Sequence, residues 1–194
     1  ESKTGALGIG SSEACMLGGV AAWLRWRKRR QQAGKDCTKP NLVMSAGMQV
    51  VWEKFCQLWQ IELRQVPLTR EKRTLSPKDA IELCDENTIC VVPIAGVTWT
   101  GLNDDIEALD RELEEFNKKT GYDIPIHVDA ASGGFILPFV SPDTRWDFRL
   151  RNVISISTSG HKFGLVYPGL GWVIWRDKSY LPEEMSFSVN YLGA

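Results

Sequence analysis

At least four times along this chain, a segment of helical spacing alternates with an apolar run of strand length. The runs 41–45, 61–67, 89–95 and 124–128 read as strands, and 48–59, 78–84 and 104–120 read as the helices between them. The last helix sets Ile106, Leu109, Leu113 and Phe116 on one face and stops at Gly121. An earlier apolar helix starts at Ser12, runs through Trp26 and stops at Gly34, with Arg25 to Arg30 near its end complementing the helix dipole. Several strands are apolar almost throughout, so they need cover on both faces. This predicts a mainly parallel sheet between two layers of helices, a three-layer α/β/α domain. A length of 194 residues suffices for one such domain with a sizeable core. Two further strands, 153–157 and 171–175, have no helix between them, so the second is predicted to return antiparallel as a hairpin. Residues 1–10 read only as a run rich in small residues leading into the first helix.

Open sheets of this kind bind ligands at the carboxyl ends of their strands. Three polar turns fall there: Thr98-Trp99-Thr100, Asp129-Ala130-Ala131 and Ser159-Gly160-His161-Lys162. Lys162 follows Val153, Ile154 and Ile156 and precedes Phe163, Leu165 and Val166, a setting that predicts at least partial burial. Burying an ammonium is costly, and a lysine relieved of its proton is a nucleophile that forms imines with carbonyls. A lysine snorkelling from the end of a core strand fits the same stretch. Asp129 closes an apolar strand and needs a cationic partner, either a nearby Arg or Lys or a protonated ring nitrogen. An aspartate opposite a pyridinium, 33 residues ahead of an imine-forming lysine, is the arrangement used with pyridoxal phosphate. The chain's two histidines, His127 and His161, each sit within two residues of one of these groups.

Gly10-Ser11-Ser12 at the start of the first helix reads either as an ordinary N-cap or as an anion site built from free backbone N–H groups. Neither a full G-x-G-x-x-G nor a G-x-x-x-x-G-K-[ST] occurs, which removes the dinucleotide and P-loop readings. The basic run from Arg25 to Arg30 is one helix end in a chain of net charge −1, so no nucleic-acid partner is expected. No apolar run reaches bilayer-spanning length, and no membrane association is expected. Five cysteines without a C-x-x-C pair argue against a disulfide framework and a zinc site and fit a reducing, cytoplasmic setting. The chain opens on Glu1 without a methionine and closes on Tyr191-Leu192-Gly193-Ala194, so both ends are expected to lie within a longer protein.

Four motifs, in order and at their spacing, carry a resemblance along essentially the whole chain. They are Gly10-Ser11-Ser12-Glu13-Ala14, Trp26-Arg27-Lys28-Arg29, His127-Val128-Asp129-Ala130-Ala131-Ser132-Gly133-Gly134 and Ser157-Thr158-Ser159-Gly160-His161-Lys162-Phe163-Gly164. Together they resemble the group II pyridoxal-phosphate-dependent decarboxylases. The resemblance implies the large domain of the PLP-dependent transferase (aspartate aminotransferase-like) fold, with pyridoxal 5'-phosphate as cofactor. It implies Lys162 as the Schiff-base lysine, Asp129 as partner of the pyridine nitrogen and Ala131 packed on the ring. By the same resemblance Ser11, Ser12, Ser159 and His161 bind phosphate, Thr98 touches the cofactor, and Gln49 stacks on the open face of the ring. Lys162, Asp129 and His161 form the catalytic set.

Glutamine at position 49 resembles the bacterial, plant and fungal glutamate branch, whereas many relatives acting on aromatic amino acids carry histidine there. The implied reaction is α-decarboxylation of the small-molecule substrate L-glutamate to 4-aminobutyrate and CO2. In it the substrate amine displaces Lys162, and Asp129 sustains the electron sink. Glu13 and His127 are read as helix-start and strand-pairing residues rather than acid–base groups. Family members carry an N-terminal segment and a C-terminal small domain, so residues 1–194 are expected to be a PLP-binding large domain in a homodimer or higher homo-oligomer. Two other readings remain: a fragment that binds cofactor or scaffolds a dimer without turnover, and a PLP-dependent lyase acting on another amino acid or amine. A sphingosine-phosphate-lyase-like activity is disfavoured by Gln49 and the motif spellings.

Overall fold

The computed structural model describes residues 3–186; Glu1 and residues 191–194, on which the expectation of a longer protein rests, lie outside them. The elements run β1 (Thr4–Gly8), α1 (Ser11–Gln32), β2 (Asn41–Ser45), α2 (Val50–Leu58), β3 (Glu62–Val66), α3 (Pro77–Glu82), β4 (Thr88–Val92), α4 (Ile106–Thr120), β5 (Ile126–Asp129), α5 (Leu137–Val140), β6 (Val153–Ser159) and β7 (Gly171–Trp175). The strands form one seven-stranded sheet in the order β1-β7-β6-β5-β4-β2-β3. Pairing from β3 to β6 is parallel throughout, and β7 runs antiparallel to both β6 and β1.

Because successive side chains leave a strand on opposite faces, the apolar strands divide the core in two. Leu42 and Met44 of β2 join Cys90 and Val92 of β4 against Trp26 of α1 and Trp52 and Phe55 of α2. Val43 and Val91 face the other way, onto Ala80 of α3 and Leu109 and Leu113 of α4. β2 and β4 are buried at every position, which is why they read as unbroken apolar runs rather than alternating ones. The three-layer, mainly parallel architecture and the β6–β7 hairpin are as the sequence predicts.

Three local features differ. β1 reads from the sequence only as a lead-in rich in small residues, yet it pairs antiparallel with β7, from Thr4 opposite Trp175 to Gly8 opposite Gly171. Its small, half-exposed residues carry no strand signal of their own; the pairing comes from the open edge of β7. α1 begins at Ser11 rather than Ser12, with Gly10 as the capping residue and no side-chain cap. α2 begins at Val50 rather than Met48, because the Gln49 side chain accepts a hydrogen bond from the Val51 N–H (2.7 Å) and caps the helix.

The basic run at the end of α1 is taken up by the protein's own carboxylates and rings. Arg29 pairs with Asp123, Arg30 pairs with Glu86 at 2.8 Å, Arg25 lies over the Tyr180 ring and Arg27 over the Trp23 ring. No helix among the described residues is long and apolar enough to cross a membrane.

Candidate active site

The polar turns meet at the carboxyl edge of the sheet. Past β4 the chain stays beside β5, with Ile94 bridging Asp129 and Ala95 bridging Asn103, so the turn carrying Thr98 stands next to the end of β5. Gln49, Thr98, Asp129, Ala131 and Lys162 line one narrow cleft, with Gly47, Gly96 and Ser132 between them. Five of the nine residues singled out in the sequence therefore share a single site.

Lys162 is half-buried, and its Nζ donates to the Ser132 Oγ at 3.3 Å. Apolar cover reaches it only from one side. Phe163 and Leu165 are 52% and 88% exposed, because the turn after β6 lifts them out of the core at the open edge. The cover comes instead from β6 and from the turn after β5.

Asp129 is 3% exposed. Its carboxylate accepts two hydrogen bonds, from the Trp52 indole N–H to Oδ2 (2.8 Å) and from the Ala131 backbone N–H to Oδ1 (3.1 Å). A buried polar chain lies behind it. The His127 ring nitrogens sit 2.7 Å from the Ser155 Oγ and 3.1 Å from the Ser157 Oγ, and Ser157 in turn lies 3.2 Å from the Cys15 Sγ. Burial pushes the His127 imidazole down to about 3 and the Cys15 thiol well up, so both are neutral at ordinary pH. Gly18 of α1 makes room for this ring: a Cβ there would lie 2.3 Å from His127 Cε1. His127 is a packed strand residue, as read from the sequence. Glu13 likewise serves the helix start, accepting the Ile9 N–H.

The remaining four residues gather one strand away. Ser159 ends β6 opposite Gly171 of β7, and a Cβ on Gly171 would lie 2.4 Å from the Gly10 carbonyl and 2.7 Å from the Ser11 nitrogen. The start of α1, bearing Ser11 and Ser12, is thus packed onto the strand pair that bears Ser159. The Ser159 Oγ lies 3.1 Å from His161 Nδ1. With no side-chain cap, the first backbone N–H groups of α1 are open to an anion.

Sequence reasoning missed three members of the site. Its spacing puts Trp52 on a helix but not against Asp129, 77 residues away. Ser132 lay within a quoted motif without a role. Asp104 reads from the sequence only as a helix start; it is buried and accepts the Leu75 and Ile94 N–H groups at 2.7 and 2.6 Å, which ties down the chain beside Asp129. Burial raises its carboxyl above the usual range, and the charge of Asp129 adds to the effect.

This donor set suits pyridoxal 5'-phosphate. An amine for its aldehyde and a buried carboxylate for its ring nitrogen share one cleft, and hydroxyls with free N–H groups for its phosphate lie beside them. Comparison with known proteins agrees. The chain is 61% identical over 187 residues to a glutamate decarboxylase of Lactococcus lactis, covering 95% of this chain and 40% of that protein. It superposes on the solved glutamate decarboxylase of Lactobacillus brevis with a TM-score of 0.96 at 54% identity, covering all of this chain and 44% of that one. A sphingosine-1-phosphate lyase of Burkholderia pseudomallei shares the fold at a TM-score of 0.76 and 29% identity, over 92% of this chain and 39% of that one. The chain therefore spans about two fifths of the length of these relatives. The family model described as the pyridoxal-dependent decarboxylase conserved domain matches residues 1–194 from end to end, and the chain belongs to that family.

Proposed function

We propose that the protein containing this chain removes the α-carboxylate of L-glutamate, giving 4-aminobutyrate and CO2, and that residues 1–194 form its cofactor-binding large domain. The observation that carries this reading is the meeting of Lys162 and Asp129 on one cleft at the carboxyl edge of the sheet. The identity of 61% to a glutamate decarboxylase, with Gln49 on the cleft wall, supports glutamate over other amino acids.

When bound, pyridoxal 5'-phosphate supplies the electron sink that accepts the pair left by the departing carboxylate. Asp129 presents a fixed, desolvated carboxylate to the ring nitrogen and holds a proton there. Lys162 would supply the amine that holds the cofactor's aldehyde. Ser11, Ser12, Ser159 and His161 would hold the phosphate. Ala131, Gln49 and Thr98, which line the cleft, would hold the ring in place. His161 thereby stands beside Lys162 as part of the catalytic turn.

No arginine lines the cleft among the described residues, so the group that reads the distal carboxylate of glutamate lies elsewhere in the full protein or in a partner subunit. Such a group is needed, because a pocket wall alone separates glutamate from aspartate by only about 1–3 kcal/mol for one methylene. A second copy of the chain is the proposed partner, as a homodimer or higher homo-oligomer. Trp99, Leu165 and Tyr167 stand 82%, 88% and 92% exposed on turns at this edge, an apolar rim suited to burial between subunits. The free cysteines among the described residues support a reducing, cytoplasmic setting.

The test is a product assay on the full-length protein and on the 194-residue chain, with glutamate, aspartate and tryptophan in competition. The full-length protein is expected to release 4-aminobutyrate. Preferential release of tryptamine, or of β-alanine from aspartate, would overturn the substrate. Comparing the two proteins separates a catalytic parent from a cofactor-binding scaffold.

A further inference from the structure

We propose that Trp52 is a positioning residue for Asp129, its indole N–H fixing the carboxylate towards the cleft and keeping the cofactor's ring proton on the ring nitrogen. The inference rests on the reading that Asp129 faces that nitrogen, and it assigns a role to a side chain outside the motifs.

The geometry is that of a built contact. Trp52 is fully buried, and its Nε1 lies 2.8 Å from Asp129 Oδ2 while the Ala131 N–H takes Oδ1. Each carboxylate oxygen is thereby held by one donor, which sets the plane of the group. Among the described residues no Lys, Arg or His nitrogen lies within salt-bridge distance of Asp129. A buried carboxylate without a protein cation relies on such donors until a cationic ring nitrogen arrives.

The indole is itself immobilised. It packs edge-on against His127 (centroids 5.4 Å apart) and Phe55 (6.0 Å), and His127 is tethered by Ser155 and Ser157. An isosteric ring without the N–H would fill the same space but could donate nothing, so the N–H is the part of this side chain that packing alone does not require. Gln49 caps the helix that carries Trp52, so one helix start sets both a cleft-wall residue and the support behind Asp129.

The chemical consequence follows from sharing. An oxygen that already accepts the indole N–H pulls less strongly on the ring proton, so the proton stays on the ring nitrogen, where the electron sink needs it. Loss of the donor frees the carboxylate to rotate and to draw the proton towards itself.

The experiment uses the full-length holoenzyme loaded with cofactor labelled with 15N in the ring. Two changes are made at this position: Trp52→Phe, and a benzothienyl analogue of the indole that keeps its shape and puts sulfur in place of N–H. The ring 15N shift is read together with kcat, KM and the apoprotein melting temperature. The analogue is expected to melt like the wild type, to move the 15N resonance towards the deprotonated value, and to lose ~10–100-fold in kcat with little change in KM. An analogue with wild-type 15N shift and kcat would reduce Trp52 to packing and overturn the proposal. An Asp129→Asn variant that also keeps the wild-type 15N shift would instead overturn the underlying placement of Asp129.

Discussion

His127 shows how a single residue can serve a site without entering its chemistry. Two serines, the Trp52 ring and the glycine notch of α1 enclose it, and this burial favours the uncharged imidazole. Its native value of about 3 lies below the ordinary 6.5, so between the two the unfolded chain binds a proton that the native chain refuses. Stability therefore falls as pH drops through that window, by about 1.4 kcal/mol per pH unit and about 2 kcal/mol by pH 5. Urea unfolding at pH 7 and pH 5 measures this loss. His127→Gln should be less stable at both values, yet lose about 2 kcal/mol less between them. An unchanged pH slope in the variant would show that other groups set the acid limb.

At the scale of elements, the close packing of α1 on the β6–β7 pair is what brings the proposed phosphate-binding residues beside the cleft. Gly171→Ala would drive a Cβ into the Gly10 carbonyl and the Ser11 nitrogen. Backbone lies on both sides, so the helix start must move. The expected result is a stability loss of about 1–3 kcal/mol and a cofactor dissociation constant raised at least ~10-fold, read by thermal melting and equilibrium dialysis. Unchanged cofactor affinity would remove the start of α1 from the phosphate site. Much of this arrangement is legible in the sequence. Unbroken apolar runs such as those around Val43 and Val91 demand cover on both faces, and that demand yields the parallel sheet whose carboxyl edge collects Thr98, Asp129 and Lys162. What stays hidden is whatever depends on distant partners. β1 exists because β7 offers an edge, and Trp52 meets Asp129 only once α2 and β5 have docked. The exposure of Phe163 and Leu165 reflects a turn at the open edge that local hydrophobicity cannot anticipate.

Across the whole molecule, the two core layers hold the sheet rigid while the reactive side chains stand at one edge beside an exposed apolar rim. A rigid scaffold with its chemistry at the strand ends suits a cofactor that must be held in a single orientation while one bond is broken. The central claim is that Lys162 is the amine that takes the cofactor's aldehyde. Borohydride reduction of the full-length holoenzyme, followed by digestion and mass mapping, tests it directly. One stable pyridoxyl adduct is expected, on the peptide carrying Lys162, and none in a Lys162→Ala variant. An adduct on another lysine, or undiminished labelling in that variant, would contradict it.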